Sequence, residues 1–135
     1  MTNEESRALY DRAVAAGFRL EPGCRVWVAG QLVTIAWADE YEVGCAGDGC
    51  TVMLRSPADA WCDFREAPSL GSLLGHVRAA WGDPHAATSG DEWDGWHVYL
   101  ARAGCAADER RYVAEAEAVV AALEAASKLA PKVQP

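Results

Sequence analysis

Cys45 and Cys50 bracket Gly47-Asp48-Gly49 in the stretch VGCAGDGCTV. Two thiolates held across the end of a hairpin are half of a zinc site. A structural zinc takes four ligands, usually from two such pairs, and the remaining donors are Cys24, Cys62, Cys105 and three scattered histidines. With no second pair in sight, Cys45 and Cys50 read as small strand residues facing the core or each other. No metal and no cofactor are therefore expected.

A second concentration of chemistry lies in GDPHAATSGDEWDGWH, residues 82–97, which gathers Asp83, His85, Asp91, Glu92, Asp94 and His97. Carboxylates beside imidazoles are what a divalent ion or a general acid–base pair needs. The acids alternate with Gly and Trp in no EF-hand order, so a solvated connection between a helix and a strand is the plainer reading. Nucleophile and nucleotide signatures are missing: ATSG is no Gly-x-Ser-x-Gly elbow, and no Walker loop or Gly-x-Gly-x-x-Gly follows a strand pattern. His76 falls off the apolar stripe of its own helix and is expected at the surface.

Charge says more than these motifs do. The chain carries 20 acidic against 12 basic residues, a net charge of −8. That balance argues against direct binding to a phosphate backbone, which needs a basic stripe. The one basic cluster, Arg110-Arg111, is neutralised by Asp108 and Glu109 beside it. The acids are grouped: residues 38–66 hold seven against two arginines, and residues 83–94 hold four with no Lys or Arg. Two negative patches facing water would suit a basic protein partner, with exposed tryptophans as anchors. The residues expected to meet it are Asp39, Glu40, Glu42 and Asp48 in one patch, and Asp91, Glu92, Trp93, Asp94 and Trp96 in the other.

At 135 residues, 51% of them hydrophobic, the chain can bury one core without staples. The N-terminus MTNEESRALYDRAV lacks the basic region and apolar run of a secretory signal, and no stretch reaches ~18 uninterrupted apolar residues. A cytoplasmic protein with no membrane span is expected, its five cysteines kept as thiols. Oligomeric state is left open.

The elements that must position these residues follow from periodicity. Thr2 with Glu5 forms a capping-box pattern opening a helix with Leu9, Tyr10, Ala13 and Val14 on one face, ended by Gly17. FRLEPGCRVWVAGQLVTIAW predicts a strand, a Pro22-Gly23 turn and two further strands broken at Gly30. EYEVGCAGDGCTVMLR predicts a hairpin closed by Gly47-Asp48-Gly49. Residues 56–68 read as an irregular link. Ser69 is placed as the cap of a helix with Leu70, Leu73, Leu74, Val77 and Trp81 inward, stopped at Gly82-Asp83-Pro84. A polar loop follows, then a hairpin turning near Ala103-Gly104, and an alanine-rich helix with Ala116, Val119, Val120 and Leu123 inward. The fold class is α+β: one domain over residues 1–127, an antiparallel meander with about three helices packed on it. Residues 128–135 are expected to be a disordered tail.

SLGSLLGHVRAAWGDPHA (69–86) and AEAEAVVAALEAA (114–126) resemble segments of small uncharacterised proteins encoded by phages and prophages of high-GC bacteria. The likeness covers about a third of the chain and transfers no catalytic residue. It implies a phage origin and, with it, the role of a stoichiometric inhibitor of host defence machinery, of anti-CRISPR type, occupying a nucleic-acid-binding host protein. That implication agrees with the acidic surface. Two other roles stay open on the residues alone: an immunity protein or antitoxin neutralising a basic toxin, and a small zinc-binding module or metal-dependent enzyme.

Overall fold

The computed structural model describes residues 1–28, 30–38, 42–45, 51–53 and 60–133. Helix α1 (Asn3–Ala15) opens on the expected cap. The Thr2 hydroxyl accepts the Glu5 N–H at 3.1 Å and donates to the Glu5 carboxylate at 3.2 Å, supplying a partner the first turn otherwise lacks. Leu9, Tyr10 and Ala13 are buried, and Val14 packs half-buried against the same core. Gly17, at φ +112°, takes a backbone angle that costs other residues dearly. It turns the chain so that the Phe18 N–H bonds back to Ala13 O at 2.9 Å.

That bond explains the first correction. Phe18 to Glu21 is not a strand, because its backbone is engaged elsewhere: Arg19 N–H donates to His76 Nε2 at 3.3 Å. The apolar Phe18 instead joins Tyr10 and Phe64 in an aromatic cluster, meeting Phe64 edge-on at 5.2 Å between ring centres.

The meander itself is present. β1 (Arg25–Val28) and β2 (Gln31–Ala38) pair antiparallel with two residues between them, and β3 (Glu42–Cys45) pairs with β2 and with β4 (Thr51–Met53). The register slips between Ile35 and Trp37, the irregularity at which β2 passes from one neighbour to the next. The turn Gly47-Asp48-Gly49 lies outside the described residues. A fifth strand, β5 (Ala60–Cys62), emerges from what the sequence marks as an irregular link, and it pairs with β1 through Val26 and Cys62. The sheet order is β4-β3-β2-β1-β5. Three residues are too few to show a period against prolines and charges, and β5 forms because burying Ala60 and Cys62 completes the edge beside β1.

Helix α2 (Ala67–Trp81) buries Leu73 and Val77, with Leu70, Leu74 and Trp81 packed at the rim. Its N-cap is Glu66, not Ser69, and Pro68 stands in the first turn, where its missing N–H costs nothing. Ser69 is the third residue of the helix, buried, and clamps β1: its hydroxyl accepts the Arg25 N–H at 2.7 Å and donates to Arg25 O at 3.2 Å. At the other end Gly82 adopts φ +63°, while the Gly82 and Asp83 N–H groups bond back to Ala79 and Arg78, a Schellman stop. His76 is half-buried, 18% of its side chain remaining exposed beside Glu21. Its ring lies 4.7 Å from Phe18, with Nδ1 2.9 Å from Ser72 O.

A second antiparallel sheet follows: β6 (Ala87–Asp91), β7 (Gly95–Leu100) and β8 (Cys105–Ala106). The first of these replaces the expected polar loop. Its side chains are almost all exposed, so it carries no apolar alternation to be read, and pairing with β7 alone defines it. The β7–β8 turn falls at Gly104 as expected.

Helix α3 (Glu115–Val133) buries Ala116, Val119, Val120 and Leu123, the four residues its pattern points inward. It continues past Ser127, where the tail was expected to start. Ala118, Ala121, Ala122 and Ala126 are buried as well, because α1, α2 and the second sheet all pack on this helix. Trp81 donates its indole N–H to Ala122 O at 3.0 Å, and Arg12 bridges α1 to Glu124 of α3. One buried cluster joins residues of all three helices and both sheets, a single α+β domain. None of the helices among the described residues is long and apolar enough to cross a membrane.

Candidate functional site

The β6–β7 hairpin is built to hold its tip still. Asp91 faces Gly95 across the ladder, leaving Glu92, Trp93 and Asp94 as the turn. The Asp91 carboxylate accepts the N–H groups of Trp93 at 2.9 Å and Asp94 at 2.7 Å, an Asx-type turn that replaces the missing backbone bonds. A Cβ added at Gly90 would stand 2.0 Å from Gly95 O, so only glycine permits the two strands to close this tightly. At the base, Trp96 exchanges two backbone bonds with Tyr112, at 2.7 and 2.9 Å, and Arg111 donates to Gly95 O. Thr88 donates to Glu115 of α3 at 3.2 Å.

Trp93 projects from this tip with 87% of its surface exposed. Among the described residues no basic side chain pairs with Glu92 or Asp94. Trp96 is half-buried and joined to the Tyr112 segment, so it supports the hairpin more than it offers a free ring. Of the other candidates, Glu42 and Cys45 fall in β3, while Asp39, Glu40, Asp48 and Cys50 lie outside the described residues.

The residues of 82–97 do not converge. Asp83, far from exposed, accepts the N–H groups of His85 and Arg102, each at 3.0 Å, and fastens the end of α2 to the turn after β7. The bond from Arg102 leads in holding its carboxyl below the ordinary range. Among the described residues no group of three or more His, Cys, Asp or Glu is placed to hold a metal ion. A shallow hollow between α1 and α3, lined by Met1, Glu5, Leu9, Arg12 and Glu117 among others, has about 210 Å³. Small-molecule sites are usually about 300–1,000 Å³.

Two arrangements escape sequence reasoning. Asp63, counted above in a negative patch, is buried with 2% exposure. Burial alone would raise its carboxyl, but hydrogen bonds from Arg65, Trp27 and Ser6 outweigh it and hold the group well below the usual carboxylate range. Arg65 also reaches Met1 O and Asn3, so this carboxylate ties the start of the chain to β5. The Asp-x-Arg spacing at 63–65 was the available signal. The second arrangement is a pair of fully buried thiols, Cys24 just before β1 and Cys62 at the end of the neighbouring β5. Nothing in their sequence separation announces it. Compared with known proteins, the chain matches no family model, no curated protein and no solved structure.

Proposed function

We propose that this chain is a binding protein, not an enzyme, and that it docks a basic protein surface through the tip of the β6–β7 hairpin. The observation that supports the reading is Trp93, held 87% exposed on a turn fixed by Asp91, between two acids without a described basic partner. A large amphipathic ring on a pre-formed turn loses little conformational entropy on binding, and neighbouring charges select the partner and speed its approach. The narrower role, an inhibitor of host defence machinery of anti-CRISPR type acting on a nucleic-acid-binding host protein, draws on the resemblance of residues 69–86 and 114–126.

The test is capture of partners from a bacterial lysate by the full chain at low salt, followed by kinetics with the purified partner. Trp93→Ala should weaken binding by roughly 30-fold, on the order of 2 kcal/mol, chiefly by faster dissociation. Asp91→Asn/Glu92→Gln/Asp94→Asn keeps an acceptor at position 91, so the turn survives while the charge is lost. It should slow association and flatten the salt dependence. If both variants bind like the parent, or if the retained partner is acidic, the hairpin tip is not the docking site.

A further inference from the structure

Cys62 ends β5 and pairs with Val26 of β1, and the ladder continues one step further through Asp63 N–H to Arg25 O at 3.0 Å. Cys24 precedes Val26 by two residues, so it shares that residue's face of the sheet and is the diagonal neighbour of Cys62. Both are fully buried, and each lies close enough to bias the ionisation of the other. The start of α2 lies alongside them, its Ser69 clamped to the Arg25 backbone between the two cysteines and its Ser72 bonded to Glu21. Diagonal neighbours stand roughly 7–8 Å apart at Cα, just beyond a disulfide's usual span of about 4.4–6.8 Å, so a small backbone approach is needed. Cys24 lies just before β1, with its N–H on Glu21 O at 3.2 Å and its C=O taking the Ile35 N–H at 2.9 Å, so closing the bond has to shift this turn or the edge strand β5.

We propose that Cys24 and Cys62 are a redox pair that closes into a disulfide, locking the edge strand β5 to the start of β1. The two sulfurs are unequal. The neighbouring Cys62 thiol favours the Cys24 thiolate, whereas Cys24 and burial push the Cys62 thiol up. With a small peroxide as oxidant, the Cys24 thiolate attacks one peroxide oxygen. The O–O bond breaks, hydroxide leaves and a sulfenic acid remains on Cys24. The Cys62 sulfur then attacks the Cys24 sulfur; the S–O bond breaks, and the hydroxide departs as water with the proton from Cys62. Two thiols and one hydrogen peroxide thus give one disulfide and two waters. Access requires only that β5, three residues long and paired on one side, open locally. The bond would close a loop from residue 24 to 62 that carries all five strands of the first sheet.

The experiment uses the full chain, reduced, freed of reductant, treated with hydrogen peroxide near stoichiometry, then denatured and alkylated for peptide mass mapping. The expected result is loss of two of the five thiols, a Cys24–Cys62 cross-linked peptide, and a Tm about 10 °C above that of the reduced chain. Five thiols still alkylated, a cross-link confined to other cysteines, or a Cys24–Cys62 bond formed only in urea would each overturn the proposal. An oxidised chain melting no higher than the reduced one would overturn the locking of β5. Cys105→Ala should change neither result, and the wild-type map decides the matter even if Cys24→Ser or Cys62→Ser fails to fold.

Discussion

Replacing Asp63 by Asn changes one atom in a group that receives five hydrogen bonds. Oδ1 accepts from Ser6 Oγ at 3.0 Å, Arg65 N at 3.0 Å and Arg65 Nε at 2.8 Å; Oδ2 accepts from Trp27 Nε1 at 2.9 Å and Arg65 Nη2 at 2.6 Å. The amide oxygen can keep the first three, but its NH2 then faces two donors. One charge-assisted and one neutral bond are lost, about 2–4 kcal/mol together. Arg65 is 31% exposed and can turn partly to water, which favours the lower half of that range. Against a typical stability of about 5–15 kcal/mol, the expected loss of ~2–3 kcal/mol lowers Tm by about 10 °C. Urea unfolding followed by tryptophan fluorescence at pH 7 measures it.

The pH dependence gives the sharper check. The folded carboxyl is depressed, so the unfolded chain binds the extra proton, and the contribution of Asp63 is complete above the ordinary carboxylate value of about 4. It fades as pH falls below that value. The gap between wild type and Asp63→Asn should therefore narrow steadily from pH 5 to pH 2. A loss under ~1 kcal/mol at pH 7, or a gap that stays constant down to pH 2, would refute the reasoning.

Two further substitutions test the frame around the site. Gly90→Ala must drive Gly95 O away from a 2.0 Å contact at a residue of φ +138°, so the hairpin should open at about 2–4 kcal/mol, read as lost amide protection over Ala87–Asp91 with α1 unchanged. Val119→Ala empties a fully buried position on α3 and should cost about 2–3 kcal/mol in urea unfolding, with the midpoint moved and the slope retained.

How much of this was legible in the sequence depends on whether the deciding partner is near in the chain. The Thr2–Glu5 cap, the stop at Gly82 and the inward faces of α2 and α3 rest on contacts within one or two turns, and the periodicity shows them. β5 and β6 were missed because neither carries an alternation of its own: β5 is three residues and β6 is almost wholly exposed. Ser69 has the residue type of a cap, yet its partner is the Arg25 backbone, 44 residues away in sequence. His76 is more covered than its place off the apolar stripe suggests for the same reason, since Phe18 packs on it from beyond its own helix. In the candidate site the exposure of Trp93 was expected from its acidic company and β7 from its apolar run, but the pairing of β7 with β6 that holds the tip was not.

That distance effect also changes what the acidic charge can do. Each patch was read as if every carboxylate faced water. Asp63 is neutralised by Arg65, Asp83 is turned inward onto two N–H groups, and Asp91 is occupied shaping its own turn. In the second patch this leaves Glu92 and Asp94 as the acids with no structural duty among the described residues. Two exposed charges steer an encounter weakly at physiological salt, where fields decay over about 8 Å. The affinity of a complex made through this tip must then come from burying the Trp93 ring, with the acids choosing which surface it meets. A partner held here should keep most of its affinity as salt rises, because dissociation is governed by the ring and only association by the charge.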